Sequence, residues 1–225
     1  MNQKQLAGEK AADYIEDGMT VGLGTGSTVF YTIQKVGEAV KNGLRIKGVS
    51  TSASTTKLAQ SLGIPLISID DVDKIDLTID GADEVDPNLN GIKGGGGALL
   101  FEKVVANASA KVIWVVDPAK KVQTLGKFPL PVEVIPFGAQ RLFRYFEKQG
   151  LSPVIRDKEN APYVTDSGHY IIDLHLEEIR EPEQLATWLD SLTGVVEHGL
   201  FLNGADLIVV GEAEGPEIIE KNRNS

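Results

Sequence analysis

The chain has 225 residues, which is enough for one large domain or two smaller ones with hydrophobic cores of their own. Its formal net charge of −10 disfavours nonspecific binding to nucleic acid or to an anionic membrane surface. The absence of cysteine excludes disulfides and thiolate metal sites, and the sequence shows neither a long apolar stretch nor a signal-peptide pattern, so we expect a cytoplasmic protein.

Helices and strands are expected to alternate through the first half of the chain, as judged from the spacing of its apolar residues. The predicted helices span residues 4–16, the segment from a glycine-rich loop to about Lys41, residues 54–62 and residues 98–108. The predicted strands span residues 20–23, 45–49, 64–67, 75–79 and 111–116. Alternation of this kind is typical of an α/β domain with a mostly parallel sheet.

The pattern changes near the segment FPLP at residues 128–131. Beyond it we predict strands at residues 132–136, 152–156, 162–165, 169–175 and 195–201, and helices at residues 138–149 and 182–192. This order is close to a ferredoxin-like α+β layout with one extra strand break. A last apolar strand at 207–210 could belong to either half, and a polar tail follows it.

A loop rich in glycine and hydroxyl residues, GLGTGST at residues 22–28, joins a predicted strand to a predicted helix. Glycines let the backbone approach an anion closely, and a helix N-terminus offers free N–H groups. Ser27 and Thr28 add hydroxyl donors, although either could instead cap the helix. The loop fails the dinucleotide fingerprint at Ser27 and lacks the Gly-Lys-Ser/Thr of a P-loop, which leaves a phosphate cradle and a plain glycine-rich turn as alternatives.

An acidic loop, DGADEVD at residues 80–86, follows the strand predicted at 75–79. Ligands of open α/β sheets bind at the carboxyl ends of the strands, and crowded carboxylates raise one another's pKa, which suits acid–base chemistry. A calcium loop is rejected because Gly97 occupies the position of the required glutamate and no helix precedes the run. A solvated acidic turn stays an alternative.

Four consecutive glycines follow a lysine in the segment KGGGGA at residues 93–98. Such a run costs conformational entropy, so it is expected where the backbone bends sharply or presents bare N–H groups. With the charge of Lys93 beside it, the segment suggests an arm that binds an oxyanion or a hydroxyl group. The alternative is a flexible linker.

Glu102 lies in the first turns of the helix that follows this arm. Its neighbours at helical spacing are all apolar, namely Ala98, Leu99, Val105 and Ala106. A carboxylate that faces such a surface is partly desolvated, which raises its pKa and favours a general base. A glutamate exposed on the surface at a helix start is the alternative reading.

Two lysines and three histidines complete the candidates. Lys120 and Lys121 follow another predicted strand and either could meet an anion at the same sheet edge, or both could face solvent. His169, His175 and His198 fit no metal-binding spacing, so we interpret them as structural or surface residues.

Taken in order, these motifs resemble the type A family of ribose-5-phosphate isomerases. The segments that carry the resemblance are GLGTGST at 22–28, Ser50-Thr51-Ser52, DGADEVDP at 80–87, KGGGGAL at 93–99, Glu102, Asp117-Pro-Ala-Lys120 and GKFPLPVEVIPFG at 126–138. They span most of the chain, and the spacing from the acidic loop through the glycine run to Glu102 is highly specific.

The resemblance implies a Rossmann-like catalytic domain at residues 1–130 and 205–225, with a smaller ferredoxin-like α+β domain at residues 131–204 inserted before the last strand. It implies an aldose–ketose isomerase of the pentose phosphate pathway. Such an enzyme interconverts D-ribose 5-phosphate and D-ribulose 5-phosphate through a cis-enediolate, without a metal or other cofactor. It further implies a homodimer or homotetramer whose partner is a small sugar phosphate, and neither nucleic acid nor a membrane.

The resemblance also assigns roles to individual residues. Glu102 matches the proton-transferring base, and Asp80, Asp83 and Lys93 match the other catalytic residues. The implied substrate-binding residues are Thr25, Gly26, Ser27, Thr28, Asp80, Gly81, Ala82, Asp83, Lys93, Gly94, Gly95, Gly96 and Lys120. Whether Lys4 or Lys121 contacts the phosphate is left undecided.

Two other functions fit parts of the pattern. A sugar-phosphate sensor needs the phosphate loop but no base, although the chain has no room for a DNA-binding helix-turn-helix before Gly22 and its net charge is wrong for DNA. An acyl or CoA transferase of similar architecture would use a glutamate as its nucleophile.

Overall fold

A computed structural model describes residues 2–221 of the chain. Its helices are α1 (Gln3–Ala12), α2 (Val29–Lys41), α3 (Ala53–Ser61), α4 (Leu99–Asn107), α5 (Ala139–Lys148) and α6 (Pro182–Asp190). Its strands are β1 (Thr20–Leu23), β2 (Lys47–Ser50), β3 (Leu77–Gly81), β4 (Glu84–Val85), β5 (Gly91–Ile92), β6 (Val112–Val116), β7 (Leu130–Val134), β8 (Pro153–Ile155), β9 (Asp157–Lys158), β10 (Ala161–Pro162), β11 (Tyr170–Leu174), β12 (Val195–His198), β13 (Leu200–Phe201), β14 (Leu207–Glu212) and β15 (Gly215–Glu220). None of the helices in this range is long and apolar enough to cross a bilayer.

The larger sheet has six strands in the order β15-β14-β6-β3-β1-β2. Every neighbouring pair is parallel except β14 and β15, which are antiparallel. All five residues of the central strand β6 are buried. Ile113 and Val115 pack in one hydrophobic cluster with residues of α1 and α2, whereas Val112, Trp114 and Val116 pack in another with residues of β4 and β13. The predicted α/β fold with a mostly parallel, Rossmann-like sheet is therefore confirmed, and the last apolar strand joins this sheet beside β6.

The smaller sheet has four antiparallel strands in the order β12-β7-β11-β8. With α5 after β7 and α6 after β11, this is the ferredoxin-like arrangement that the sequence predicts. The extra strand break is a small hairpin of β9 and β10. Its turn residues Glu159 and Asn160 have φ of 57° and 66°, the left-handed pair that a two-residue hairpin turn requires.

A third sheet of three short strands, β13-β5-β4, joins the two larger ones. The predicted strand at 195–201 divides at Gly199, so that β12 pairs with β7 while β13 pairs with β5. A Cβ at Gly199 would lie 2.3 Å from the Lys93 carbonyl oxygen, so only glycine permits this crossing. The Lys93 N–H donates to the Gly199 carbonyl at 2.9 Å, which places the start of the glycine run against the junction.

Four expectations about elements are wrong. The strand expected at residues 162–165 is absent except for Pro162, which belongs to the short strand β10. Residues 64–67 do not form a strand, because Pro65 lacks an N–H and only Leu66 bridges to Gly48. The segment expected to be a polar tail contains the strand β15, which pairs with β14 through backbone hydrogen bonds. Because most of its side chains are exposed, its residue pattern did not indicate a strand. Helix α1 ends at Ala12 rather than residue 16, since residues 13–15 close i→i+3 bonds instead of continuing the helix.

Candidate active site

The predicted site residues converge on one cleft at the carboxyl ends of β1 and β3. Its lining comprises Lys4, Thr25, Gly26, Ser27, Thr28, Gly81, Ala82, Asp83, Lys93, Gly94, Gly96, Glu102 and Lys120. Asp80 lies directly beneath this lining, 2% exposed, and Gly95 is exposed on the same arm. Three loops that are distant in the sequence therefore share one rim, as the carboxyl-end rule for parallel sheets requires.

The glycine-rich loop after β1 is tied to the acidic strand end. The Thr25 N–H donates to Asp80 Oδ1 at 3.0 Å. A Cβ at Gly24 would lie 2.1 Å from the same oxygen, so the loop passes over Asp80 only because residue 24 is glycine. The Phe30 N–H donates to the Gly26 carbonyl, so the loop continues into α2 without a break.

The hydroxyl groups of this loop have different partners. Thr25 Oγ1 lies 2.8 Å from Thr51 Oγ1 and 2.7 Å from Ser52 Oγ, in a hydroxyl network behind the cleft that sequence reasoning missed. Ser27 Oγ accepts a hydrogen bond from Lys4 Nζ at 2.9 Å. Thr28 precedes α2, but its side chain makes no capping bond. Ser27 and Thr28, rather than the Thr25 hydroxyl, are therefore the donors that this loop offers to a ligand.

A lysine and two carboxylates form the floor of the cleft, and we call Asp80, Lys93 and Glu102 the Lys93 cluster. Lys93 Nζ lies 3.0 Å from Asp80 Oδ2 and 3.2 Å from Glu102 Oε1, and it also donates to the Gly81 carbonyl. These three side chains are between 2% and 5% exposed. A compact cation thus occupies the position between the two acids.

The Glu102 carboxyl group is the one whose protonation is most affected by this environment. Burial raises the pKa of Glu102 to about 8, and the Asp80 charge adds to that effect while Lys93 opposes it. Among the described residues, Glu102 Oε2 has no hydrogen-bond partner. Burial by itself lowers the pKa of Lys93, but the Asp80 and Glu102 carboxylates raise it above its ordinary value. Glu102 is therefore placed to gain and lose a proton near neutral pH beside a permanent cation.

The four acidic side chains of the loop at 80–86 do not lie at one place. Asp83 lines the cleft and accepts a hydrogen bond from the Gly95 N–H at 2.8 Å. Glu84 is buried on β4, where its carboxylate accepts from the N–H groups of Gly126 and Phe128. Asp86 instead closes its own turn through Asn88 and Asn90. The expected crowding of four carboxylates is wrong, because strand alternation and local turns direct only Asp80 and Asp83 toward the site.

The structure shows which of the lysines whose contact with an anion was undecided line the cleft. Lys120 lines the cleft at the end of a short 3₁₀ turn. Lys121 points elsewhere, pairing with Glu217 at 2.7 Å and Glu212 at 3.6 Å on the β14–β15 hairpin. Lys4 lines the cleft from α1.

None of the three histidines lines the cleft. His198, with Asp190 and Glu197, forms the one group that the described residues offer as metal ligands, with the ligand atoms within 4.8 Å of one another. However, His198 Nδ1 accepts from the Leu200 N–H, so the imidazole proton lies on Nε2, which faces Asp190 at 3.2 Å. Lys103 Nζ already lies 2.6 Å from Glu197 Oε1. This arrangement is an internally paired cluster and does not fit a metal ion.

Comparison with known proteins gives one consistent result. The family model described as ribose 5-phosphate isomerase A (phosphoriboisomerase A) matches residues 47–215. The chain is 55% identical to the ribose-5-phosphate isomerase A of Enterococcus faecalis, over 97% of this chain and 98% of the relative. It is 56% identical to that of Listeria monocytogenes, over 98% of this chain and 100% of the relative.

Solved structures agree with the sequence relatives. A D-ribose-5-phosphate isomerase in complex with phospho-erythronic acid superposes with a TM-score of 0.94 at 40% identity, covering 98% of this chain and all of that one. The ribose 5-phosphate isomerase of Plasmodium falciparum gives a TM-score of 0.93 at 36% identity, covering 99% of each chain. With the family model matching most of its length and relatives above half identity, this chain belongs to the ribose 5-phosphate isomerase A family.

Proposed function

We propose that this protein interconverts D-ribose 5-phosphate and D-ribulose 5-phosphate, with Glu102 as the base that moves the proton between C2 and C1. The observation that carries the proposal is the environment of Glu102. Its carboxylate is buried beside Lys93 at the cleft floor, its second oxygen is free of protein partners among the described residues, and its pKa is raised to about 8. Membership of the isomerase family supports the same assignment.

The phosphate group binds at the glycine-rich end of the cleft. Ser27 and Thr28 supply hydroxyl groups there, Gly26 allows close approach of the backbone, and the side chains of Lys4 and Lys120 supply positive charge. The overall charge of −10 is no obstacle, because salt screens distant charges over about 8 Å. Binding at this end fixes the position of the reacting carbons at the other.

Asp80 and Asp83 have different roles. Asp83 faces the cleft and is only partly buried, so it exchanges hydroxyl protons with the sugar during ring opening. Asp80 accepts hydrogen bonds from Lys93 and from the Thr25 and Gly81 N–H groups. It therefore fixes the Lys93 ammonium group relative to the glycine-rich loop. Gly81 and Ala82, between the two aspartates, present backbone to the sugar.

The isomerisation then proceeds on the open-chain aldehyde. Glu102 removes the proton from C2, and the electron pair forms the C1–C2 double bond of a cis-enediolate while negative charge develops on the oxygen at C1. The Lys93 ammonium and the N–H groups of the glycine run stabilise that charge, an effect worth about 3–4 kcal/mol for a well-placed donor. Glu102 returns its proton to C1, so that one hydrogen has moved from C2 to C1 and one from the C2 hydroxyl to the C1 oxygen.

The proposal is tested by incubating the protein with ribose 5-phosphate alone in D2O. We expect ribulose 5-phosphate carrying deuterium at C1, because the Glu102 proton exchanges with solvent in some turnovers. A hydride shift would leave C1 without deuterium and would refute the enediolate. Binding without ketose formation would identify a sugar-phosphate sensor, and a requirement for a second substrate would identify a transferase.

We further propose the division into a catalytic domain of residues 1–130 and 205–225 and an inserted domain of residues 131–204. The strands of the six-stranded sheet at 20–116 and 207–220 and those of the four-stranded sheet at 130–198 support it. Met1 and residues 222–225, which the first domain is expected to include, lie outside the described residues.

The protein is also proposed to act in the cytoplasm as a homodimer or homotetramer, without a nucleic-acid or membrane partner. The lack of cysteine and the acidic composition support the compartment. The side chain of Phe137 is 91% exposed, and burying such a residue in a subunit contact would be favourable. Light scattering coupled to gel filtration measures the oligomeric state directly.

A further inference from the structure

The glycine run that follows Lys93 is contacted by an arginine from the ferredoxin-like part of the chain. Arg156 Nη1 donates to the Gly94 carbonyl at 2.8 Å and to the Gly95 carbonyl at 3.2 Å. The same guanidinium is held on its other side by Asp173, with Nε 2.9 Å from Oδ2 and Nη2 2.6 Å from Oδ1. Arg156 does not line the cleft, so it reaches the reacting groups only through the backbone of the run.

This backbone needs an external constraint. Gly94 and Gly97 have φ of 103° and 80°, conformations that glycine adopts without strain but does not prefer over its many alternatives. The run carries Lys93 at one end and leads into α4 and Glu102 at the other. The distances of 3.0 and 3.2 Å from Lys93 Nζ to its two carboxylates therefore depend on the run keeping one conformation.

A second residue limits the run from the same side. A Cβ at Gly97 would lie 2.4 Å from Tyr163 Oη, so the tyrosine lies against the run with no room for a side chain. The Arg156 guanidinium carbon lies 6.0 Å from the centre of the Tyr163 ring. Arg156 and Tyr163 flank the β9–β10 hairpin, are joined by a backbone hydrogen bond and are partly buried, and both contact the glycine run.

We propose that Arg156, oriented by Asp173, is a positioning residue for the isomerisation: it holds the glycine run so that Lys93 and the run's N–H groups meet the developing oxyanion. The inference rests on the proposed function and extends it to a residue outside the cleft. The planar fork suits this task, since its three nitrogens donate in fixed directions: Nε and Nη2 to one carboxylate, and Nη1 to two carbonyls. A lysine at this position could bind the Asp173 carboxylate or one carbonyl of the run, but it could not bind the carboxylate and the carbonyls at once in fixed directions.

The test compares Arg156→Met, Arg156→Lys and Asp173→Asn with Arg180→Met as a matched control. Arg180 is an exposed arginine of the same part of the chain, and among residues 2–221 its ion-pair partner is Glu178 alone. The measurements are kcat and KM for ribose 5-phosphate, the inhibition constants of phospho-erythronic acid and of inorganic phosphate, and the melting temperature. Inorganic phosphate probes the glycine-rich loop alone, whereas phospho-erythronic acid adds a carboxylate where the enediolate would form.

Arg156→Met is expected to lower kcat by about tenfold to a hundredfold, as displacement by about 1 Å does in other sites. The inhibition constant of phospho-erythronic acid should rise by a similar factor, while that of inorganic phosphate and the KM stay nearly constant. Arg156→Lys and Asp173→Asn should lie between Arg156→Met and the wild type, and Arg180→Met should match the wild type. If Arg156→Met does not fold, the kcat and inhibition constants of Arg156→Lys and Asp173→Asn test the positioning role instead.

The inference is overturned if Arg156→Met retains the wild-type kcat, or if affinity for inorganic phosphate falls as much as affinity for phospho-erythronic acid. The latter result would show general disruption instead of misplacement of the run. A wild-type protein without isomerase activity would refute the proposed function, whereas an active wild type with fully active Arg156 and Asp173 variants would refute only the positioning role.

Discussion

Helix α4 separates two lysine–carboxylate clusters that differ in how their buried polar atoms are paired and in whether they line the cleft. Glu102 turns to the Lys93 cluster, and the next residue, Lys103, turns to a second group at the junction with the ferredoxin-like sheet. We call Lys103, Asp190, Glu197 and His198 the Lys103 cluster. It borders a cavity of about 550 Å³, much more spacious than the cleft above Lys93, yet its polar atoms are directed at one another.

The two clusters differ in whether all of their buried polar atoms have hydrogen-bond partners. Lys103 donates to Glu197 at 2.6 Å and to the His198 carbonyl at 2.8 Å, and the His198 ring is bonded at both nitrogens. Burial lowers the pKa of Lys103, and burial followed by the Lys103 charge lowers the pKa of His198. In the Lys93 cluster, by contrast, one buried oxygen of Glu102 is without a described partner. Here a buried carboxylate oxygen without a described partner that also lies at the cleft, Glu102 Oε2, is therefore a better guide to chemistry than a large cavity.

The largest expected effect comes from Glu102→Gln, which keeps the shape of the side chain but cannot take a proton. We expect kcat for ribose 5-phosphate to fall at least about a hundredfold, the low end for general-base catalysis. Glu197→Gln in the Lys103 cluster serves as the control and should leave kcat nearly unchanged. Steady-state kinetics check both, and near-normal turnover of Glu102→Gln would mean that the base lies elsewhere.

Lys93→Met should be nearly as damaging, because it removes the cation that faces the developing oxyanion. The loss of such a donor lowers kcat by about a hundredfold to a thousandfold in other enzymes. Lys103→Met is the matched change in the neighbouring cluster, and its kcat should stay close to that of the wild type. Equal losses from the two lysine variants would contradict the distinction between the clusters.

The pH dependence of kcat/KM should reflect the raised pKa of Glu102. Only the ionised carboxylate can accept the C2 proton, so activity rises with pH below the folded-state pKa of about 8 and levels off above it. The expected slope is about tenfold per pH unit on the acidic side. His198→Gln should give the same profile, and a plateau that already begins near pH 5 would show that burial does not control this acid.

Lys103→Met is expected to act on stability instead. Removing the lysine leaves the Glu197 carboxylate partly buried and unpaired, which should lower the free energy of unfolding by about 2 kcal/mol, less than a fully buried pair because both groups keep some exposure. Lys57→Met, an exposed position on α3, is the control. Urea denaturation measures both, and equal stabilities would show that the junction pair contributes nothing.

The smallest expected effect is that of chelation. Lys93 Nζ already lies between the Asp80 and Glu102 carboxylates, and Lys103 neutralises Glu197 in the other cluster. Exhaustive dialysis against a chelator should therefore leave kcat unchanged. Loss of activity that added Mg²⁺ or Mn²⁺ restores would contradict the role given to Lys93 and favour a metal-assisted hydride shift.

Much of the fold and of the site could be predicted because local patterns carried the information. Apolar periodicity indicated the helix–strand alternation and the later change to a ferredoxin-like order. The positions of the glycine-rich loop, the acidic loop and the glycine run at strand ends predicted a shared rim, and their resemblance to a known family assigned the roles. The apolar neighbours of Glu102 made burial one of two possibilities, and an exposed glutamate at the helix start was the other.

Other features depended on which distant segments meet. Alternation alone could not distinguish Asp83, which faces the cleft, from Glu84, which binds the backbone near Phe128. The different directions of the adjacent Lys120 and Lys121 were also undecided, and the β15 edge strand was missed because its side chains are mostly exposed.

The sequence by itself determined the chemical groups, their order and the edge of the sheet where they gather, since these follow from residue type and periodicity along one stretch of chain. Only the tertiary structure decided that the cleft acid Glu102 keeps one buried oxygen without a described partner, and which arginine contacts the glycine run. Both outcomes depend on hydrogen bonds between segments far apart in the chain, such as Arg156 to Gly94 and Lys93 to Asp80. No local pattern specifies those pairings, because burial and bonding are properties of the assembled fold.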